Sequence, residues 1–247
     1  MRFLLLVLLI AVAWPSSAIL IRPDRDDAEY LELATKYAAS VAIAPVDAEG
    51  VLIAPSWVLT SARVARALDG KKNVTIDGKS YKLKSVHPHP SADIGLLFLG
   101  SGYRHGDLDF EPARLYRADD EGGKTVVIVG HGANGKIGSP IARESSDRKK
   151  RAAVNTIDRL GKREFDLGIK PADLASDLQG ALGAGDFGGP AFVETSQGLL
   201  VAGIATSANG EWQTYVRVST FVPWIEDTMV DAVRRDLDEL LDGSGRS

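Results

Sequence analysis

The residues whose types could do chemistry fall in three segments. Gly50 to Ala65 reads GVLIAPSWVLTSARVA, residues 93 to 99 read DIGLLFL, and Gly185 to Pro190 reads GDFGGP. These carry two carboxylates (Asp93 and Asp186), a guanidinium (Arg63) and an aromatic ring (Phe187) set among glycines. Acyl transfer would require a nucleophile, a base within hydrogen-bond reach of it, and a third group to orient the base. A thiol nucleophile is excluded, because the 247 residues include no cysteine; disulfides and thiolate metal sites go with it. The histidines are His87 and His89 on the approach to Asp93, His105 in a polar stretch, and His131 between two glycines. No CxxC, HExxH, P-loop or GxGxxG pattern occurs, and the glycines around His131 lack the strand–turn–helix setting of a phosphate cradle. Neither a metal nor a cofactor is therefore implied. With 29 Lys and Arg against 33 Asp and Glu, nothing in the charge balance points to a nucleic-acid partner.

The elements that must hold these residues are mostly short strands. Apolar runs bounded by turn residues recur at Val41 to Ala44, Val51 to Ile53, Trp57 to Thr60, Val74 to Ile76, Tyr81 to Val86 and Ile94 to Leu99. A second series follows at Thr125 to Val129, Ala152 to Ile157, Glu164 to Ile169, Pro190 to Val193, Leu199 to Ala205 and Gln213 to Val218. Leu160-Gly161-Lys162 reads as a tight hairpin turn. Two segments have helical period instead: Ala28 to Ala39, and Val222 to Leu241 with Ile225, Met229, Val233, Leu237 and Leu240 on one face. The basic run Arg148 to Arg151 reads as a solvated loop. Residues 1–18 have the form of a secretory leader, with Arg2 before the apolar run Phe3 to Ala13 and small residues at Ser16 and Ala18. The implied product is a secreted or periplasmic chain beginning at Ile19, with no membrane attachment after cleavage.

In order and spacing the three segments resemble the motif regions of the trypsin-like (chymotrypsin-fold, S1) serine proteases: the T-A-A-H-C strand, the D-I-A-L-L strand and G-D-S-G-G-P. Val127 to Gly132 is similar to the family's V-x-G-W-G, Gly203-Ile204 to its G-I-x-S-W, and Tyr215 to Val218 to its Y-T-R-V. The resemblance implies an all-β fold, two six-stranded antiparallel β-barrels spanning about 40–110 and 120–220, followed by a C-terminal helix over about 222–241. It places Asp93 at the family's catalytic Asp, Arg63 at the His and Phe187 at the Ser. Arginine stays protonated and cannot act as a general base, and phenylalanine has no nucleophilic atom. Ser176 and Ser207, the nearest hydroxyls in the aligned order, do not sit on a sharp turn backed by oxyanion donors.

The substitutions imply a different use of the same places. Arg63 either meets Asp93 with parallel N–H donors or swings to solvent and leaves Asp93 to backbone donors. Ala48 and Val64 stand where the family often has a cysteine pair. By resemblance, Ile19 freed by cleavage would set its ammonium on Asp186, with Gly185 as the remnant of the oxyanion loop. The pocket positions Ala181, Thr206, Ser207 and Ala208 offer no acid for a basic side chain, and Ala208 narrows the mouth. The reading is an inactive protease homologue of bacterial type that binds a peptide or protein; the alternative is an endopeptidase with residual or unorthodox hydrolysis.

Overall fold

Short apolar runs bounded by turn residues form strands, the central ones such as residues 57–60 and 95–98 buried on both faces. A computed structural model describes residues 19–100, 111–132, 135–138, 147–196 and 198–244. The leader and His105 lie outside those residues. In chain order the elements are β1 (Leu20–Ile21), α1 (Asp27–Ala34), β2 (Ser40–Ala44), β3 (Ala48–Ala54), β4 (Trp57–Thr60), α2 (Ala62–Ala67), β5 (Asn73–Ile76), β6 (Lys79–Lys82), β7 (Ser85–Pro88) and β8 (Gly95–Phe98). The second half holds β9 (Arg114–Leu115), β10 (Thr125–Gly130), β11 (Gly135–Lys136), β12 (Arg151–Thr156), β13 (Arg159–Leu160), β14 (Glu164–Gly168), β15 (Gly180–Ala181), β16 (Pro190–Thr195), β17 (Gly198–Ala208), β18 (Trp212–Arg217) and α3 (Val218–Ser244).

The strands form two curled half-barrel sheets, the double-barrel plan of a trypsin-like fold, with α3 closing the chain. The first is seven-stranded in the order β6-β5-β2-β3-β4-β8-β7. The second runs β12-β10-β16-β17-β18-β14-β13, with β9 added on β17. A small third sheet, β11-β1-β15, ties residues 20–21 to the second half. The first sheet exceeds six strands because the run 81–86 divides: Leu83 and Lys84 donate to the carbonyls of Lys72 and Phe98, and the chain changes partner between them. In β5, Val74 and Ile76 are buried while Asn73 is exposed, and the following Asp77-Gly78 carries φ of 46° and 79°. That is the Asp-Gly pair a two-residue hairpin favours. One apolar cluster runs across both sheets, from Trp57, Leu59 and Phe98 to Val129, Phe192, Ile204 and Ile225.

Three local expectations are corrected. The first helix ends at Ala34 rather than Ala39, because the chain turns there to feed β2 and Lys150 Nζ donates to the carbonyls of Tyr37, Ala38 and Ser40. The basic run is a solvated loop only at Arg148 and Lys149, which are exposed. Arg151 is wholly buried, with paired donors to Asp27 at 2.6 and 2.7 Å and to Asp147 at 2.8 and 2.9 Å. The terminal helix begins four residues early and packs Phe221, Val222, Ile225, Ala232 and Asp236 inward. Its later turns meet the body through Asp236 and Glu239, which pair with Lys84 at 2.9 and 2.6 Å, so Leu237 and Leu240 of the anticipated apolar face are exposed.

Candidate functional site

Arg63 stands in α2, which starts directly after β4 and is capped by Ser61, whose Oγ accepts from the Val64 N–H at 3.2 Å. Asp93 immediately precedes Ile94 and β8, and the register Thr60↔Gly95 sets the start of β8 beside the start of α2. The approach requires glycine at 95: a Cβ there would lie 2.9 Å from the Ala65 side chain and 3.1 Å from the Ser61 carbonyl. Asp93 Oδ1 accepts the backbone N–H of Arg63 at 2.9 Å, and Oδ2 accepts a guanidinium N–H at 3.0 Å. One of the two donors is thus the backbone rather than the fork, because the first turn of a helix leaves its N–H groups without intrahelical partners. The same guanidinium nitrogen donates to the Thr206 carbonyl at 2.8 Å, linking the first sheet to β17 of the second. With Arg63 60% exposed, the ion pair itself contributes under about 1 kcal/mol. Its effect is positional: the cation is parked across the cleft.

Phe187 sits opposite, in the loop between β15 and β16. Its carbonyl accepts from the Glu49 N–H at 3.1 Å, and its ring centroid is 5.4 Å from Arg63 Cζ, within cation–π range. Gly188 adopts φ 89° with the Glu49 carbonyl and Thr60 Oγ1 each 2.4 Å from where a Cβ would stand, so only glycine fits. Asp186 is wholly buried. Its Oδ2 accepts from the Gly183 N–H at 2.9 Å, whereas Oδ1 has no hydrogen-bond partner among the described residues. Burial pushes its carboxyl well above the ordinary carboxylate range, and the nearby Glu49 adds to the rise. Ile19 is fully buried and lies against Gly180, where a Cβ would meet its Cγ2 at 2.9 Å.

The pocket positions are partly closed from within. Ala181 and Leu182 are buried, and Gln213 reaches across to this segment from β18. Its Oε1 accepts from the Leu182 N–H at 2.7 Å, and its Nε2 donates to the Gly180 carbonyl at 3.2 Å. Thr206 is buried, while Ser207 and Ala208 are exposed beyond it. Nothing local marks Gln213, which opens a run where Thr214 is polar too; its role depends on Gly180 and Leu182, 33 and 31 positions away.

The other candidate bases and hydroxyls are spread apart. His87 bonds Ser85 Oγ at 2.8 Å, and His89 stacks edge-on against Phe221 and Trp224. Ser176 Oγ donates to the Val154 carbonyl. His131 is bound to Glu49, which the sequence reading passed over, through Nδ1 at 2.8 Å. Among the described residues the hydrogen bonds to Asp93 come from Arg63, whose guanidinium cannot take up a proton. Among the described residues no cluster of three or more His, Asp or Glu is placed to hold a metal ion, and no helix is long and apolar enough to cross a membrane. The family model of the trypsin-like peptidase domain matches residues 48–202.

Proposed function

The chain belongs to the trypsin-like peptidase domain family, and from that premise we propose that it is a catalytically inactive, exported member that binds a peptide or protein instead of cutting it. The observation that carries this reading is what fills the catalytic centre. A permanent cation and an aromatic ring face each other at 5.4 Å, the cation held by Asp93 and by the Thr206 carbonyl. Neither can take up or give a proton at neutral pH, and neither can attack a carbonyl. The form of residues 1–18 supports export. Cleavage after Ala18 would free an ammonium on Ile19, and the unpartnered Oδ1 of Asp186 is the acceptor we assign to it. Such a pair would offset the burial of Asp186 and hold the 185–189 loop.

The test uses the exported protein, whose mass must correspond to a chain starting at Ile19. Against casein and a mixed peptide library it should show no turnover and no labelling by a phosphonate probe. The double variant Arg63→His with Phe187→Ser should gain labelling. Hydrolysis by the natural chain that disappears in Asp93→Ala would overturn the proposal.

A further inference from the structure

Gly185 also belongs to the wall of a second cavity, of about 680 Å³, shared with Asp47, Glu49, Asp77, His131 and Arg148. Its polar groups are already sorted. Glu49, buried to 2% side-chain exposure, accepts the backbone N–H of His131 at 2.9 Å, and its other oxygen lies 2.8 Å from Nδ1. Burial raises the Glu49 carboxyl well above its ordinary range, so the pair shares a proton, which we place on Nδ1, leaving the lone pair on Nε2. Asp77 Oδ1 lies 3.9 Å from that Nε2 and is held in place by the Ala42 N–H at 2.8 Å. At 3.9 Å the two atoms are beyond hydrogen-bond distance, so neither satisfies the other. Burial together with the nearby Lys150 ammonium holds His131 neutral, its pKa lowered to about 4.

The cations nearby are engaged elsewhere. Arg148 pairs with Asp47 at 3.0 Å, and Lys150 donates to three backbone carbonyls. Two acceptors therefore face one space, His131 Nε2 and Asp77 Oδ1, with one of them anionic. Their separation selects the occupant. A tetrahedral zinc ion, bonded at about 2.0–2.1 Å, would need its donors roughly 3.4 Å apart and would require two further ligands. An N–H donor at about 2.8 Å from each acceptor subtends roughly 90° between them, which a tetrahedral ammonium tolerates.

We propose that this cavity binds a primary ammonium group, seated between His131 Nε2 and Asp77 Oδ1, presented by a lysine side chain or by a free chain N-terminus. The proposal stands independently of whether the cleft is inactive. Titration of the full chain is followed through the imidazole nitrogen resonances of His131. Three probes are used: Nα-acetyl-lysine methylamide, glycine methylamide, and Nα-acetyl-norleucine methylamide, which lacks the ammonium. A saturable shift with the first identifies the side chain as source, and with the second the N-terminus; either supports the site. Asp77→Asn keeps an acceptor for the Ala42 N–H and should weaken binding at least tenfold. No saturable shift at millimolar concentration in the natural chain, an equal response to the norleucine probe, or unchanged affinity in a folded Asp77→Asn variant would each overturn it.

Discussion

Arg151 is a side chain whose environment its sequence neighbours conceal. It follows three basic residues or their like, yet it is wholly buried and binds two carboxylates through paired contacts, which is the geometry guanidinium favours. Asp27 and Asp147 keep access to water at 34% and 28% exposure, so they can rehydrate if the cation is removed. Arg151→Met should therefore cost about 3 kcal/mol in urea unfolding, at the low end for a broken buried pair. The pH dependence carries a sign as well. Arg151 holds the Asp147 carboxyl down to about 2, below its ordinary 3.8. The folded state thus binds fewer protons than the unfolded chain in that window, and the stabilisation is present above pH 3.8 and lost as pH falls towards 2. The acid limb of the stability profile should flatten in the Met variant, and an unchanged limb would contradict this assignment. At this scale the cleft residues were legible and the rest were not. Arg63, Asp93 and Phe187 sit inside short motifs with fixed local order. Glu49 and His131 meet across 82 positions, and no local pattern announces such a pair.

Elements were easier to read than their ends. The strand runs follow apolar content, which is local, whereas boundaries depend on partners supplied from afar. Lys150 stops the first helix and Lys72 and Phe98 divide the 81–86 run. The inward face of α3 passes through Ala232 and Asp236 rather than Leu237 and Leu240, because apolar period alone does not register a polar residue paired with a distant lysine. The loop 185–189 has the opposite character: its glycine at 188 is dictated by contacts with the first sheet. Gly188→Ala would put a methyl 2.4 Å from both the Glu49 carbonyl and Thr60 Oγ1, at φ 89°. Gly123→Ala has φ 75° but open space around it, so it isolates the backbone strain. Thermal or urea unfolding should show the Gly123 variant losing about 1 kcal/mol and the Gly188 variant at least twice that. Equal losses would mean that the loop does not press on the first sheet as described.

The whole molecule stands without a single cross-link, so the two sheets must be joined by packing and a few polar ties. Arg63 to Thr206 and Glu49 to Phe187 are such ties, at 2.8 and 3.1 Å, but each is a single hydrogen bond of about 1 kcal/mol. The larger contribution is the apolar cluster that continues from Trp57, Leu59 and Phe98 into Val129, Phe192 and Ile225. Phe192 is fully buried within it, opposite Val127 on one side and Val201 on the other, with its ring 5.3 Å from Tyr37. A shared core implies one cooperative unfolding transition, although the chain reads as two barrels. Fluorine NMR of 5-fluorotryptophan protein resolves this, since Trp57 lies in the first sheet and Trp212 in the second. Both resonances should report the same urea midpoint. Phe192→Ala removes a buried ring and should cost about 3–5 kcal/mol. Because the cluster is common, that loss should move both midpoints together. If the Trp212 signal shifts while Trp57 keeps its midpoint, the barrels are separate folding units, and the cleft between them is held by its polar ties alone.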